Sequence, residues 1–350
     1  MFNLFFLRYM YLRHPIEKLT QAQRDALAAF RAKMNQGAYV FEDSACLCGA
    51  RNDLLVARRD RYALPVNTYL CRNCGLLRTS PRMDASSLAR FYEEDYRPIY
   101  VGQSTPPESY FINQIQNGQE IFDFLESVVH FWTVRPLTVF DVGCGAGGTL
   151  IPFREAGWNV FGCDIGQKYT QRGRDAGLVL EHGDASALEK YGPANLVILR
   201  HVLEHLLDPL QELRVISESL ADDGYVYIEV PGIFSIDNTY GDFLLFLQNA
   251  HMYHFTLATI SSLMGRSGFR LIKGNETIRA VFQKDRAVST VFASDEYKKT
   301  QRYLMDTEMK RVLSFYRDLR NREKLIRIAR RCLGDSFVDN IKARLRQTKI

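Results

Sequence analysis

The residues able to do chemistry fall into three groups. The first is a glycine-rich turn, Asp141-Val-Gly-Cys-Gly-Ala-Gly-Gly, entered by the strand-like run Leu137–Phe140 and followed by a helix predicted from Gly148 to about Ala156. Glycines at 143, 145 and 147 let the backbone turn sharply and approach a ligand, and the helix start offers free amides. Gly143, Gly145 and Gly148 also satisfy the G-x-G-x-x-G spacing of dinucleotide sites. Asp141 separates the two readings. A dinucleotide strand usually enters its turn on an apolar residue, whereas a carboxylate there suits an ammonium or sulfonium group. Asp164 ends a second strand, Asn159–Cys163, where it can accept hydrogen bonds from both hydroxyls of a ribose. Asp184, in Gly183-Asp184-Ala185 after Leu178–Leu180, can take an adenine amino group.

The second group is histidine. Four of the seven lie between 201 and 254: His201, His205, His251 and His254. His201 directly follows a fourth strand, Asn195–Leu199, and is a candidate both for cofactor contact and for general base. His205 beside Glu204 is expected at the start of the next helix in a structural role. His251, in QNAHMYHFT between a fifth strand (Gly224–Val230) and a further helix, is the leading candidate for the base; His254 is expected to be structural. A positioned base contributes roughly 10²–10⁴-fold when the acceptor must lose a proton.

The third group is cysteine. Cys46 and Cys48 form C-x-C-G, and Cys71 and Cys74 form C-x-x-C-G. Zinc takes four thiolates tetrahedrally, and a glycine after each pair relieves crowding where backbone amides point at sulfur. Four protein ligands leave no open position, so the predicted zinc is structural. The stretch between the pairs reads as a small β-ribbon, followed by a helix starting near Asp84 and the aromatic, acidic FYEEDYRPIY. Seven cysteines, an odd and scattered number without an export signal, point to a reducing cytoplasm.

These groups need positioning elements. Strands alternating with helices from residue 137 onward imply a parallel, doubly wound sheet, with the ligand beyond the strands' carboxyl ends. Taken in order, FDVGCGAG (140–147), CDIG (163–166), HGDA (182–185), HVLEHLLDP (201–209) and GYVYIEVPG (224–232) resemble the class I S-adenosylmethionine-dependent methyltransferases over roughly residues 110–285. The resemblance implies S-adenosylmethionine held by Asp141, Gly143, Cys144, Gly145, Gly147, Asp164, Ile165, Asp184, Ala185, Arg200 and His201. Asn195, where the family often has aspartate, is a departure at a strand start away from the site.

A four-cysteine domain before such a core is similar to deoxysugar C-methyltransferases and related enzymes of surface-polysaccharide clusters. That narrower resemblance implies His251 as base and a tyrosine of the N-terminal segment in the site, Tyr96 or secondarily Tyr100. Ala250 stands where those enzymes commonly carry glutamate, which leaves O-methylation at least as well supported as C-methylation. The implied acceptor is a sugar of a nucleotide-linked or lipid-linked glycan. The alternative is an RNA or protein methyltransferase gripping its substrate with the zinc lobe and basic tail.

The ends of the chain carry the remaining signals. The opening MFNLFFLRYMYL is too short to span a bilayer, which needs about 20 residues, so it reads as a helix docking on the body or an interfacial anchor. Leu19–Gly37 reads as an amphipathic helix stopped by Gly37. The formal net charge is +5, yet residues 297–350 alone carry +10, so the body is mildly acidic. The tail is predicted as two helices, Asp295–Glu323 and Lys324–Leu333, with Gly334 preceding a short last one. No RNA-binding signature accompanies its charge, which argues against nucleic acid; a basic tail and an apolar N-terminus together would suit peripheral contact with the inner membrane face.

The predicted architecture is therefore α/β: a doubly wound Rossmann-like methyltransferase sheet with a small N-terminal zinc-binding lobe and a helical C-terminal tail. The predicted divisions are a helical segment (1–37), zinc lobe (38–105), methyltransferase core (106–285) and basic helical region (286–350).

Overall fold

The computed structural model describes residues 7–103, 105–129, 136–285, 287 and 295–333. The chain starts with the short helix α1 (Leu7–Tyr11), whose Tyr9 is fully buried while Arg8 pairs with Asp242 through both guanidinium nitrogens. This part of the apolar N-terminus docks on the body; residues 1–6 lie outside the described residues. Helix α2 (Gln21–Asn35) starts at a Thr20–Gln23 capping box and buries Leu27 and Phe30.

Strands β1 (Asp53–Arg59), β2 (Pro65–Cys71) and β3 (Leu77–Thr79) form the antiparallel ribbon expected between the cysteine pairs. Helix α3 (Ala85–Phe91), capped by Asp84, runs through a π-helical turn at Tyr92–Tyr96 into a last turn at Arg97–Tyr100. Wide turns of this kind recur at functional sites.

Helix α4 (Glu108–Glu126) leads to the core strands β4 (Thr138–Val142) and β5 (Asn159–Asp164). Helix α5 (Gln167–Asp175), β6 (Val179–His182), β7 (Ala194–Arg200), helix α6 (Pro209–Glu218) and β8 (Leu220–Glu229) continue the alternation. Then come β9 (Tyr253–His254), helix α7 (Leu257–Arg266), β10 (Phe269–Gly274) and β11 (Arg279–Lys284). The sheet order is β10-β11-β8-β7-β4-β5-β6, with β8 to β6 parallel and β11 antiparallel to both its neighbours. Strands buried on both faces, such as Leu196–Leu199, read as unbroken apolar runs because helices cover each side. Asn195 accepts a hydrogen bond from the Thr138 amide at 2.9 Å, tying two strand starts together far from the carboxyl ends.

Two expectations change. The tail, among described residues, is one continuous helix, α8 (Glu296–Leu333), not two; no glycine or proline interrupts those residues. Nor does it stand apart: Glu296, Thr300, Leu304, Thr307 and Glu308 are buried. Glu308 accepts from Tyr9, and Thr307 donates to Asp237 at 2.6 Å. The expected last helix beyond Gly334 lies outside the described residues.

The four-cysteine ribbon takes a further strand from the core. Strand β9, from the histidine segment of the core, pairs with β3 to give a four-stranded sheet, β9-β3-β2-β1. One apolar cluster consequently runs from Phe30 and Cys71 through Leu199 to Phe255 without a boundary.

Candidate active site

Register brings the acids to one end of the sheet. Asp141 of β4 lies opposite Gly162 and Ile198, while Asp164 ends β5 opposite His182. The turn after β4 uses left-handed backbone at Gly143 (φ +73°), Gly145 (+58°) and Gly147 (+75°), a region that penalises side-chain-bearing residues. Gly143 cannot carry a Cβ for a second reason, since that atom would lie 2.4 Å from Cγ2 of Val202. The turn is hung on Cys163: its carbonyl accepts from the amides of Gly143 and Cys144. Asp164 fixes the far side, accepting from the Gly145 amide (2.8 Å) and the Gly166 amide (2.6 Å).

Asp141 is buried, and its Oδ2 has no hydrogen-bond partner. Burial lifts its pKa to about 8, opposed by Arg200 and aided by Asp164. A buried carboxylate oxygen lacking a donor fits a cationic ligand group that brings one. Cys144 and Ala185 are buried, Ile165 is exposed, and Asp184 lies exposed as the cap of the next turn, accepting from the Ser186 amide. Arg200 is turned onto Glu229, with Nε 3.1 Å from Oε1. The π-helical turn adds residues that spacing did not reveal. Arg97 lies 4.0 Å from Asp164 and stacks 3.7 Å from the Tyr169 ring centroid. Tyr110, on α4, comes within van der Waals range of Gly145.

The histidines gather beside this turn. His201 adopts φ +54°, a strained position for a non-glycine residue, and keeps 43% of its side-chain surface exposed. Its Nδ1 is 3.4 Å from Oε1 of Glu204, and its Nε2 is 3.8 Å from Oε1 of Glu229. His205 belongs to a 3-10 turn ahead of α6, which starts only at Pro209. Its Nδ1 meets the Ala250 carbonyl (3.0 Å) and the Tyr92 hydroxyl (2.8 Å). Tyr96 stands edge-on to the His205 ring with centroids 6.1 Å apart, its pKa pushed up to about 12, chiefly by burial.

His251 is only 4% exposed, packed edge-on against His205 at 4.8 Å. Burial, reinforced by His205 and His254, holds its pKa well below the ordinary histidine value, so the ring is neutral. His254 is buried too, its pKa driven down to about 3 by burial, and its Nε2 has no partner. Glu204 is the residue that the sequence pattern passed over. It is 2% exposed, and neither carboxylate oxygen accepts a hydrogen bond. Burial works to raise its pKa, but His205 and His201 outweigh that and leave it lowered.

The four-cysteine lobe sets where this cluster sits. The Thr79 amide donates to Met252 O (3.0 Å), and Thr79 Oγ1 donates to His251 O (2.8 Å). Asp60, fully buried with its pKa raised to about 7 by burial, accepts from the Tyr62, Leu64 and Asn249 amides. Cys46, Cys48, Cys71 and Cys74 bring their sulfurs within 4.8 Å of one another, Cys46–Cys74 at 3.4 Å and Cys48–Cys71 at 3.6 Å. Sulfurs at ~2.3 Å from a tetrahedral zinc stand about 3.8 Å apart, so the geometry fits that ion. Gly49 (φ +82°) and Gly75 (φ +76°) make the two turns, each amide donating back to the first cysteine of its pair.

Residues 114–273 match the family model described as a methyltransferase domain. The chain is 29% identical over 216 residues to the C-methyltransferase NovU of Streptomyces niveus, covering 59% of this chain and 47% of that protein. It is 28% identical over 100 residues to the ubiquinone biosynthesis O-methyltransferase of Caulobacter vibrioides, covering 26% of this chain and 40% of that protein. The chain thus spans less than half the length of these relatives. Among solved structures, the magnesium protoporphyrin IX methyltransferase of Synechocystis PCC 6803 aligns at 21% identity and TM-score 0.40, over 59% of this chain and 100% of that one. The 1,6-didemethyltoxoflavin-N1-methyltransferase of Burkholderia thailandensis aligns at 15% identity and TM-score 0.42, over 60% and 96%. Residues 114–273 of the chain thus carry a methyltransferase domain.

Proposed function

We propose that this domain transfers a methyl group from S-adenosylmethionine to a hydroxyl oxygen or an activated carbon of a sugar in a nucleotide-linked or lipid-linked glycan. The observation that carries the cofactor assignment is Asp141: a buried carboxylate oxygen without a donor, at the mouth of three left-handed glycines. Asp141 would take the cationic end, Asp164 the ribose hydroxyls and Asp184 the adenine amine. When bound, the cofactor supplies an electrophilic methyl group whose former bonding pair stays on sulfur.

The chain's own task is to align the acceptor and hold its proton. We assign the base to His201 rather than to the more deeply buried His251. Val202, its neighbour, touches the position a Cβ on Gly143 would fill, so His201 flanks the glycine turn. Its Nε2 lies 3.8 Å from Glu229 Oε1, beyond hydrogen-bond reach, so that nitrogen is available for the acceptor proton. Tyr96 and Tyr92 wall the same cluster.

The match to NovU, a C-methyltransferase, over 59% of the chain supports a carbon acceptor, and the shorter match to an O-methyltransferase keeps an oxygen acceptor in play. The sugar itself rests on the resemblance carried by the four-cysteine segment ahead of the core. Zinc at the four cysteines would be structural and would hold the lobe that fixes residues 249–254. Among described residues no helix is long and apolar enough to cross a membrane. The exposed Leu313, Phe315 and Tyr316 of basic helix α8 support peripheral contact with anionic lipid. The test is calorimetry with S-adenosylmethionine, followed by a nucleotide-sugar panel scored for S-adenosylhomocysteine release. Tight cofactor binding and turnover of one sugar are expected. No cofactor binding would sink the enzyme reading, and turnover of RNA or protein alone would sink the sugar reading.

A further inference from the structure

Glu204 is a buried carboxylate flanked by imidazoles, yet no described residue donates a hydrogen bond to it. It is 2% exposed. A buried carboxylate of this kind is costly unless a cation or strong donors compensate it. His205 Nδ1 is engaged by the Ala250 carbonyl at 3.0 Å and the Tyr92 hydroxyl at 2.8 Å. Its Nε2 is 3.9 Å from Glu204 Oε1, beyond hydrogen-bond reach in either tautomer but a separation that one bridging ion can span.

A third ligand completes the set. One ring nitrogen of His251, one of His205 and one oxygen of Glu204 all lie within 4.8 Å of one another. The His251 ring meets that of His205 edge-on. The His205 Nδ1–Ala250 carbonyl contact is also the kind that orients metal-bound imidazoles, the ring nitrogen remote from the ion facing a backbone carbonyl. Among the described residues, half-exposed His201, with Nδ1 at 3.4 Å, is the other basic side chain beside this carboxylate.

We propose that Glu204, His205 and His251 bind a divalent transition-metal cation of the zinc class, separate from the four-cysteine site. Two imidazoles and one carboxylate are a donor set suited to Zn²⁺, Fe²⁺ or Co²⁺ and poorly suited to Mg²⁺ or Ca²⁺. The ion would clamp the turn after β7 to the segment entering β9. This joins the cofactor side of the site to the acceptor side through a bond rather than through packing alone. The inference concerns ligand chemistry and stands whatever the acceptor proves to be.

The test is metal content, which needs no turnover. Full-length protein purified in chelated buffer, loaded with excess ZnCl₂ and desalted, should hold two zinc ions per chain by mass spectrometry. Glu204→Gln should hold one. Cobalt titration of the wild-type chain checks this without a variant. One equivalent should give thiolate charge-transfer bands, and a second should add ligand-field absorption without further charge transfer. A single equivalent of zinc and of cobalt in the wild type would overturn the proposal, as would a second equivalent that survives intact in both Glu204→Gln and His251→Gln. Loss of the second equivalent in both, with thiolate bands retained, supports it, because those bands report that the lobe remains folded.

Discussion

Thr79 Oγ1 donates to the carbonyl oxygen of His251 at 2.8 Å across 172 residues of sequence, so the four-cysteine lobe holds the histidine segment directly. The adjacent Thr79 amide holds Met252, and β3 pairs with β9. Thr79→Val removes the hydroxyl and leaves a buried carbonyl short of a partner. The expected cost is about 1–3 kcal/mol in thermal or denaturant unfolding. The KM for the acceptor should rise while cofactor affinity stays unchanged; equal losses in both would show that Thr79 serves only general stability.

Asp141 sets a pH dependence. Its pKa of about 8 in the free protein means that it is mostly protonated at neutrality. A cationic ligand favours the carboxylate, so S-adenosylmethionine affinity should climb as pH rises toward about 8 and then level. Binding at pH 7 should release a proton, visible as buffer-dependent calorimetric heats. Free-protein stability runs the opposite way for this group, falling as pH rises through the same window, because the unfolded chain ionises more readily. Asp141→Asn should weaken the cofactor by roughly 10–100-fold and abolish the proton release.

His201 is assigned the acceptor proton. His201→Ala should lower kcat by about 10²–10⁴-fold, with S-adenosylmethionine affinity held within a few-fold. Turnover unchanged in this variant and lost in His251→Ala would return the base to His251.

Two glycine variants separate strain from collision. Gly49 has φ +82° and open space around it, so Gly49→Ala should cost only about 1–2 kcal/mol of stability, the penalty for left-handed backbone. Gly143→Ala adds a contact 2.4 Å from Val202 and should lose cofactor binding as well. Intact calorimetric binding in Gly143→Ala would contradict the placement of the glycine turn.

The exposed apolar residues of α8 give a fifth test. Leu313, Phe315 and Tyr316 are more than half exposed. Replacing all three by Ser should weaken co-sedimentation with phosphatidylserine vesicles severalfold while turnover on a soluble acceptor persists. Unchanged sedimentation would exclude this face from lipid contact. Truncating the helix instead would be uninformative, because Leu304 and Glu308 help bury Tyr9.

Local chemistry made much of the molecule readable in advance. Asp141, the glycines and Asp164 announce a strand, a turn and a second strand because each needs a particular backbone near a ligand. The predicted strands match those observed to within a few residues at their ends. What sequence hid was long-range. Nothing in QNAHMYHF says that Tyr253 and His254 will pair with Arg78 and Leu77, because two-residue strands carry no periodicity. Glu204 looked like an ordinary polar neighbour of His205; only its burial without a hydrogen bond gives it weight. The expected boundary between Glu323 and Lys324 has no glycine or proline to break the backbone, so α8 runs through it.

The shared sheet also constrains how the molecule is made. His254 is synthesised 177 residues after its partner Leu77. At roughly 5–20 residues per second, the ribbon β1–β3 waits about 10–35 seconds with the β3 edge unpaired. Such an edge invites pairing with other chains. If the four cysteines take up zinc as proposed, early capture of the ion would stiffen the nascent lobe, and the yield of folded protein should then fall when zinc is withheld during translation.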